Sequence, residues 1–405
     1  MELRDIAFNN LEKYIDLGFR RAWIGVAPLI DAESMPLNIA TNFRAHRKHH
    51  QYYDSVWIIE NNIFEKYEKS WLLIIDEAIR LIKDEGTLIV RTVDCHAGTL
   101  FSLKSHLYRN NNLSVTLLEQ IKTSESSISI FNIKRRNILS YSDECWSFGI
   151  LSNGVKNGNV INLVTKINEK ASEAGKIVEI IIAGPEIDSL VEINNLRYIN
   201  INNSDNLPRI SEKKNAIVSE AKYANIAIFH DRYQIDDNFF IGFDYFGYDF
   251  DFLTVRQVYP SGKEFPSYLM FPVNEKRWQQ PIRIDSYDQV YPSSFLNGGL
   301  IIIKKHNGKC INFNPLLLHN EAEDVEISMQ MFSNGLVPRI NAFSLAHTIG
   351  IDESYTATFI RTLPTDKGRC FKRILLKCWC VCPNKIKDIA RHLKLYEKIK
   401  SYYNN

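Results

Sequence analysis

The sequence predicts an α/β protein of two successive units followed by a basic helical tail, on three observations. Apolar strand-like runs such as SISIFNI (127–133), WSFGIL (146–151) and IAIF (226–229) alternate with amphipathic stretches of about a dozen residues, as mainly parallel sheets with crossover helices require. A basic KRRN run follows SISIFNI and precedes a fresh strand pattern, which places a boundary near 136–145. Charge is also divided: the chain carries +2 overall, but 369–405 holds ten Lys or Arg against Asp388 and Glu397, so a tail of +8 leaves −6 upstream. The expected units are 1–138, 146–350 and a C-terminal extension, 351–405.

With 405 residues, 45% apolar and 24% charged, the chain has enough material for two sizeable cores, which excludes global disorder. No run approaches the roughly 20 apolar residues of a spanning helix, and the N-terminus lacks the basic-then-apolar pattern of a secretory signal. Seven cysteines are few for this length and suit a reducing compartment. A cytoplasmic protein is expected, with no nucleic-acid partner.

In the first unit, YYDSVWIIENNIFEKY leads into a predicted helix, WLLIIDEAIRLIKDEG, and a strand, TLIVRT. Leu72, Ile75, Ala78, Ile79 and Ile82 recur at helical spacing, and Gly86 is placed to end the helix. This stretch resembles the second half of the small Rossmann-like methyltransferases found among polysaccharide gene products. Upstream, YIDLGFRRAWIGVAP departs from that family. Only Gly18 stands in the cofactor loop, and Ala27 falls where an acid would hold ribose hydroxyls. A degenerate domain is expected, with a packing or dimerisation role and no S-adenosylmethionine.

The second unit opens with the strand and loop WSFGILSNG, a helix NVINLVTKINEKA and a strand KIVEIIIAGP. In a parallel sheet, ligands meet the loops at the carboxyl ends of the strands, here Ser152, Asn153 and Gly184. An amphipathic KKNAIVSEAKYA follows, containing Lys213, Lys214 and Asn215. The strand IAIF ends in His230, Asp231 and Arg232. FLNGGLIIIKK brings Gly298 and Gly299, and a helix then runs from Asp324 to Asn334 with Val325, Met329 and Phe332 on one stripe. Glu323 and Asp324 lie at its N-terminus, and His347 comes beyond it.

This order resembles the GT-A fold of family 2 inverting glycosyltransferases. The resemblance implies a nucleotide-diphosphate sugar donor, with Lys213, Lys214 and Asn215 near the diphosphate and Asp231 holding Mn2+ or Mg2+ between the phosphates. The usual Asp-x-Asp is absent. Arg232 stands where an apolar residue is commoner and could pair with phosphate directly. His347 takes the place of a further metal ligand, and Gly298 and Gly299 would let backbone approach the sugar. Asp324 becomes the base that deprotonates the acceptor hydroxyl, with Glu323 holding an acceptor hydroxyl. Plainer readings stand beside these. Polar residues cluster at strand ends, acids favour helix N-termini, glycine pairs mark bulges, and a lone histidine is often just a hydrogen-bonded residue.

In the tail, Ile386, Ile389, Ala390, Leu393, Tyr396 and Ile399 share one face amid lysines. This suits a helix lying on an anionic membrane surface, or one docked on its own protein. Cys370, Cys378, Cys380 and Cys382 lack paired zinc knuckles and read as small apolar residues. The function expected is a cytoplasmic, peripherally membrane-associated transferase acting on a surface-polysaccharide or lipid-linked glycan acceptor. The rivals are a methyltransferase acting on a glycan and a non-catalytic scaffold. Assembly into a homo-oligomer is left open.

Overall fold

The run YDSVWI is almost wholly apolar and becomes a central strand buried on both faces, β3 (Tyr53–Ile58). The computed structural model describes residues 11–357 apart from 16–17, 19, 36, 137–143, 200, 202–206, 272–280, 285–286, 288 and 307–311. The basic tail and its four cysteines therefore lie outside the described residues. In the first sheet β1 (Arg21–Trp23), β2 (Glu33–Ser34), β3 and β4 (Ile82–Thr92) are parallel. The antiparallel hairpin β5 (Leu113–Lys122) and β6 (Ser127–Arg135) completes the order β2-β1-β3-β4-β6-β5. Helix α1 (Trp71–Leu81) covers one face, and α2 (Leu100–Arg109) precedes the hairpin.

Helix α1 stops at Leu81 instead of continuing to Gly86, and the chain passes directly into β4. Ile82 falls in the helical phase by coincidence: it pairs with Tyr53, and Gly86 pairs with Ile133 inside the ladder. Strand pairing on both sides satisfies more backbone groups than another helical turn would.

The second sheet has the order β11-β17-β12-β16-β10-β7-β8-β9. Its parallel centre is β7 (Trp146–Leu151), β8 (Val178–Ala183), β9 (Leu196–Ile199) and β10 (Asn225–His230). Beyond β10 lie antiparallel β16 (Leu300–Lys304), then β12 (Phe252–Val258), β17 (Arg339–Thr348) and β11 (Tyr233–Ile235). A small separate sheet joins β14 (Ile282–Arg283), β13 (Tyr268–Met270) and β15 (Ser294–Leu296). Helices α3 (Asn157–Glu173), α4 (Ile210–Glu220), α5 (Phe239–Phe246) and α6 (Glu323–Ser333) accompany this unit. The fold is thus mixed α/β. Leu151 lies in register with both Ala183 and His230, so β7, β8 and β10 end level and their following loops leave one edge together.

One cluster of buried apolar residues runs from Ala22, Val56 and Leu88 of the first sheet to Ile228, Ile303 and Ile340 of the second. An aromatic group, including Trp146, Phe148, Phe229, Phe239 and Phe243, packs the second sheet's other face. A buried ionic network also joins the two units. Arg44 pairs with Asp249 at 3.0 Å, Arg80 with Glu77 at 2.9 Å, and Arg80 reaches Asp249 as well. Among the described residues no helix is long and apolar enough to cross a membrane.

Candidate functional site

Two side-chain-closed turns shape the loop after β7. Ser152 Oγ accepts from the N–H of Gly154 and Asn153 Oδ1 from that of Val155, each at 3.1 Å. Gly184, leaving β8, packs its backbone against the Ser152 carbonyl, where a Cβ would come within 2.4 Å. Lys213 Nζ donates to that same carbonyl at 2.8 Å. Burial lowers the Lys213 ammonium below its ordinary pKa, and the charge of Asp231 opposes the fall. The Asp231 carbonyl accepts from Asn159 Nδ2 at 3.0 Å, while among the described residues its carboxylate carries no hydrogen bond or ion pair.

The acidic centre lies on the same side. Ala322 precedes α6 in the left-handed region, at φ 65° and ψ 40°, a conformation that costs a residue bearing a Cβ. The turn delivers Glu323 and Asp324 against Gly298, where an added Cβ would stand 2.9 Å from Glu323 Oε1 and 3.0 Å from Asp324 Cβ. The Gly298 N–H donates to Asp324 Oδ2 at 2.8 Å, and the Val325 N–H to Oδ1 at 2.9 Å. Each oxygen keeps a lone pair for a proton. Gly299 is pressed by Tyr233, whose hydroxyl would lie 2.6 Å from a Cβ there. Burial raises the Asp324 carboxyl to about 6, although part of its surface still meets solvent. Glu323 adds to the rise, while Lys214 and the two backbone donors oppose it.

Lys214 is fully buried. Its Nζ donates to the Gly298 carbonyl at 2.9 Å and to Glu323 Oε1 at 3.1 Å. Asn215 is spent on Phe313: its amide donates to the carbonyl at 2.7 Å and accepts from the N–H at 2.9 Å. The backbone N–H of His230 donates to the Gly299 carbonyl at 2.9 Å. Its buried Nε2 has no partner among the described residues. Burial, with Lys214, His319 and Arg232 nearby, holds the His230 imidazole well below its usual pKa and hence neutral. The Arg232 guanidinium lies over the Tyr355 ring, 5.8 Å from its centroid.

His347 Nε2 lies 2.7 Å from Asp236 Oδ2, with His347 opposite Gln234 across the β11–β17 ladder. Among the described residues no group of three His, Cys, Asp or Glu side chains is placed to hold a metal ion. The stripe expected on α6 also differs. Val325, Ile327 and Met331 are buried, whereas Met329 is 57% exposed, because the core lies under the Met331 side of the helix. Neither Tyr233 at Gly299 nor the Lys214–Glu323 pair is foreseen from sequence, which shows neighbouring lysines but not which one is buried.

At the corresponding edge of the first sheet, Glu60 Oε2 accepts from Trp23 Nε1 at 2.9 Å and from the N–H groups of Val26 at 2.9 Å and Ala27 at 3.2 Å. An internal carboxylate thus occupies the amide cradle after β1.

No protein-family model matches the chain, and no curated protein matches it. Among solved structures, the catalytic domain of Drosophila beta1,4-galactosyltransferase 7 in complex with xylobiose is similar, with 11% identity over 49% of this chain and 65% of that one, at a TM-score of 0.32. GalNAc-T7 with UDP, GalNAc and Mn2+ shows 13% identity over 55% of this chain and 46% of that one, at 0.37. S. aureus TarS 1–349 with UDP-GlcNAc shows 14% over 51% and 59%, at 0.33. The chain spans less than two thirds of each of these structures. Likeness this weak decides nothing about activity.

Proposed function

We propose that the chain is a nucleotide-sugar-dependent glycosyltransferase, with Asp324 as the base of a single-displacement, inverting transfer. The observation that carries this reading is the Asp324 carboxyl, raised toward neutrality and held on Gly298 at the strand edge where Lys213, Asp231 and Arg232 also gather. In the reaction Asp324 takes the acceptor hydroxyl proton as that oxygen bonds to the anomeric carbon. The bond from that carbon to the diphosphate oxygen breaks. Lys213 and Arg232 meet the charge on the departing nucleoside diphosphate. Ser152, Asn153 and Gly184 shape the loop beside it. Mn2+ or Mg2+ would arrive with the diphosphate, and Asp231 would be the residue to hold it.

The resemblance to family 2 enzymes supports a surface-polysaccharide or lipid-linked glycan acceptor. The basic tail supports attachment to the inner face of an anionic membrane. The first unit serves packing and binds no S-adenosylmethionine, a reading supported by Glu60 in the amide cradle. Thermal unfolding measured with Mn2+ alone, UDP alone and both together tests the donor site. A ligand of the native state raises its stability, so UDP with Mn2+ should raise the melting temperature and Mn2+ alone should not. No response to any nucleoside diphosphate, and no donor hydrolysis across a panel of nucleotide sugars, would sink the proposal.

A further inference from the structure

Lys214 and Lys213 are adjacent in sequence but face different environments. Lys213 reaches the Ser152 carbonyl at the loop edge, whereas Lys214 has no exposed surface. The Lys214 ammonium is enclosed by the Gly298 carbonyl, by Glu323 Oε1 and by the ring of Phe313, whose centroid lies 5.0 Å from Nζ. Asn215 clamps Phe313 in place through both of its backbone groups. A diphosphate at the strand edge cannot reach this ammonium without displacing that cover. Glu323 is itself only 6% exposed, and a buried carboxylate is stable only when paired.

We infer that Lys214 is a positioning residue of the acid pair and not a ligand of the donor: it holds Glu323 and anchors Gly298, and Gly298 in turn orients Asp324. The inference rests on the transferase reading above and assigns Lys214 a different task from the one its place beside Lys213 suggests. One peptide segment links the two acids, because Gly298 gives its carbonyl to Lys214 and its N–H to Asp324 Oδ2. Two neighbouring carboxylates share a single buried cation, so the charge on one sets the proton affinity of the other. The groups facing Asp324 are Glu323 on its own helix, Lys214 from α4, the Tyr233 hydroxyl near the start of β11 and the Gly298 N–H. The Lys214 and Arg232 charges act on His230, and the Arg232 charge acts on Tyr233.

The test follows Asp324 by carboxyl 13C NMR in the full chain, without substrate, alongside transfer kinetics and UDP calorimetry. Removing the cation in Lys214→Met should move the Asp324 titration to higher pH by about one unit or more, with turnover at pH 6 falling about tenfold and recovering as pH rises. Donor KM and UDP affinity should stay within about twofold if the ammonium makes no donor contact. A Lys214→Met protein that titrates at the wild-type pH but loses UDP binding overturns the inference and makes Lys214 a donor ligand. Should that variant fail to fold, Glu323→Gln must move the Asp324 midpoint down, and an unmoved midpoint overturns the inference equally. If these shifts appear in a protein that transfers no sugar, the positioning role is upheld and the transferase reading fails.

Discussion

Arg339 of β17 ties the second sheet to the first unit: Nη1 lies 2.6 Å from Asp76 Oδ2 on α1, and Nη2 donates to the Asn42 carbonyl at the same distance. Both Asn42 and Arg339 are buried, and the Asn42 side chain in turn accepts from the Ile340 N–H at 3.2 Å. Breaking a buried pair by removing one partner typically costs about 3–5 kcal/mol. Arg339→Met should therefore lower stability by that order. Fluorescence of Trp57 and Trp146, one in each sheet, should report a single urea transition, and two separated transitions would show the sheets to be independent.

The network around Asp249 has a definite pH signature. Burial alone would push this carboxyl up, but Arg44, Arg80 and His50 outweigh it and hold it well below the usual range. A group with a depressed folded pKa adds stability that is present above the unfolded value of 3.8 and lost as pH falls toward the folded one. The wild type should lose stability steeply below about pH 4, and Asp249→Asn, weaker throughout, should show a flatter dependence. Parallel curves for the two proteins would place the acid-sensitive group elsewhere.

Asp324 has the opposite sign, because its folded pKa of about 6 lies above the ordinary 3.8. Its contribution to stability is fully present below 3.8 and declines as pH rises through 6, while its capacity as a base grows over the same interval. Turnover should rise with pH through about 6. Asp324→Asn should reduce it by a factor on the order of 100 while UDP affinity changes little. Equal losses in both would mark Asp324 as a donor contact.

Gly298 leaves no room for a side chain, since a Cβ would meet Glu323 Oε1 at 2.9 Å. Gly298→Ala should displace the acid pair by a few tenths of an ångström and cut turnover by roughly 10 to 100-fold, with nucleotide affinity retained. Unchanged turnover in a folded variant would show that the seating of Asp324 on this peptide is catalytically irrelevant.

Strands β7, β8, β10 and β16 were legible in the sequence because each is a short apolar run bounded by Gly, Pro or charge, and tertiary context only sharpens such runs. The end of α1 was not legible. Ile82 satisfies the helical period and the strand ladder alike, and the choice was made by Tyr53 on β3. The acid pair could be placed from its position after the Gly-Gly strand, yet the partners of Lys214 and His347 depend on elements brought together only by folding. The ionic network is spread from Arg44 to Arg339, and only its Glu77–Arg80 pair, three residues apart on α1, has a local pattern.

The shared core also bears on synthesis of the chain. The N-terminal sheet emerges from the ribosome with the Asn42 and α1 surfaces bare, and their cover on β17 lies 297 residues later. At about 5–20 residues per second, that interval lasts roughly 15–60 s, during which buried arginines and acids such as Arg44, Arg80 and Glu77 stand hydrated and the apolar face of α1 is open to other chains. The nascent protein therefore exposes surface of the kind that chaperones cover until β17 is made.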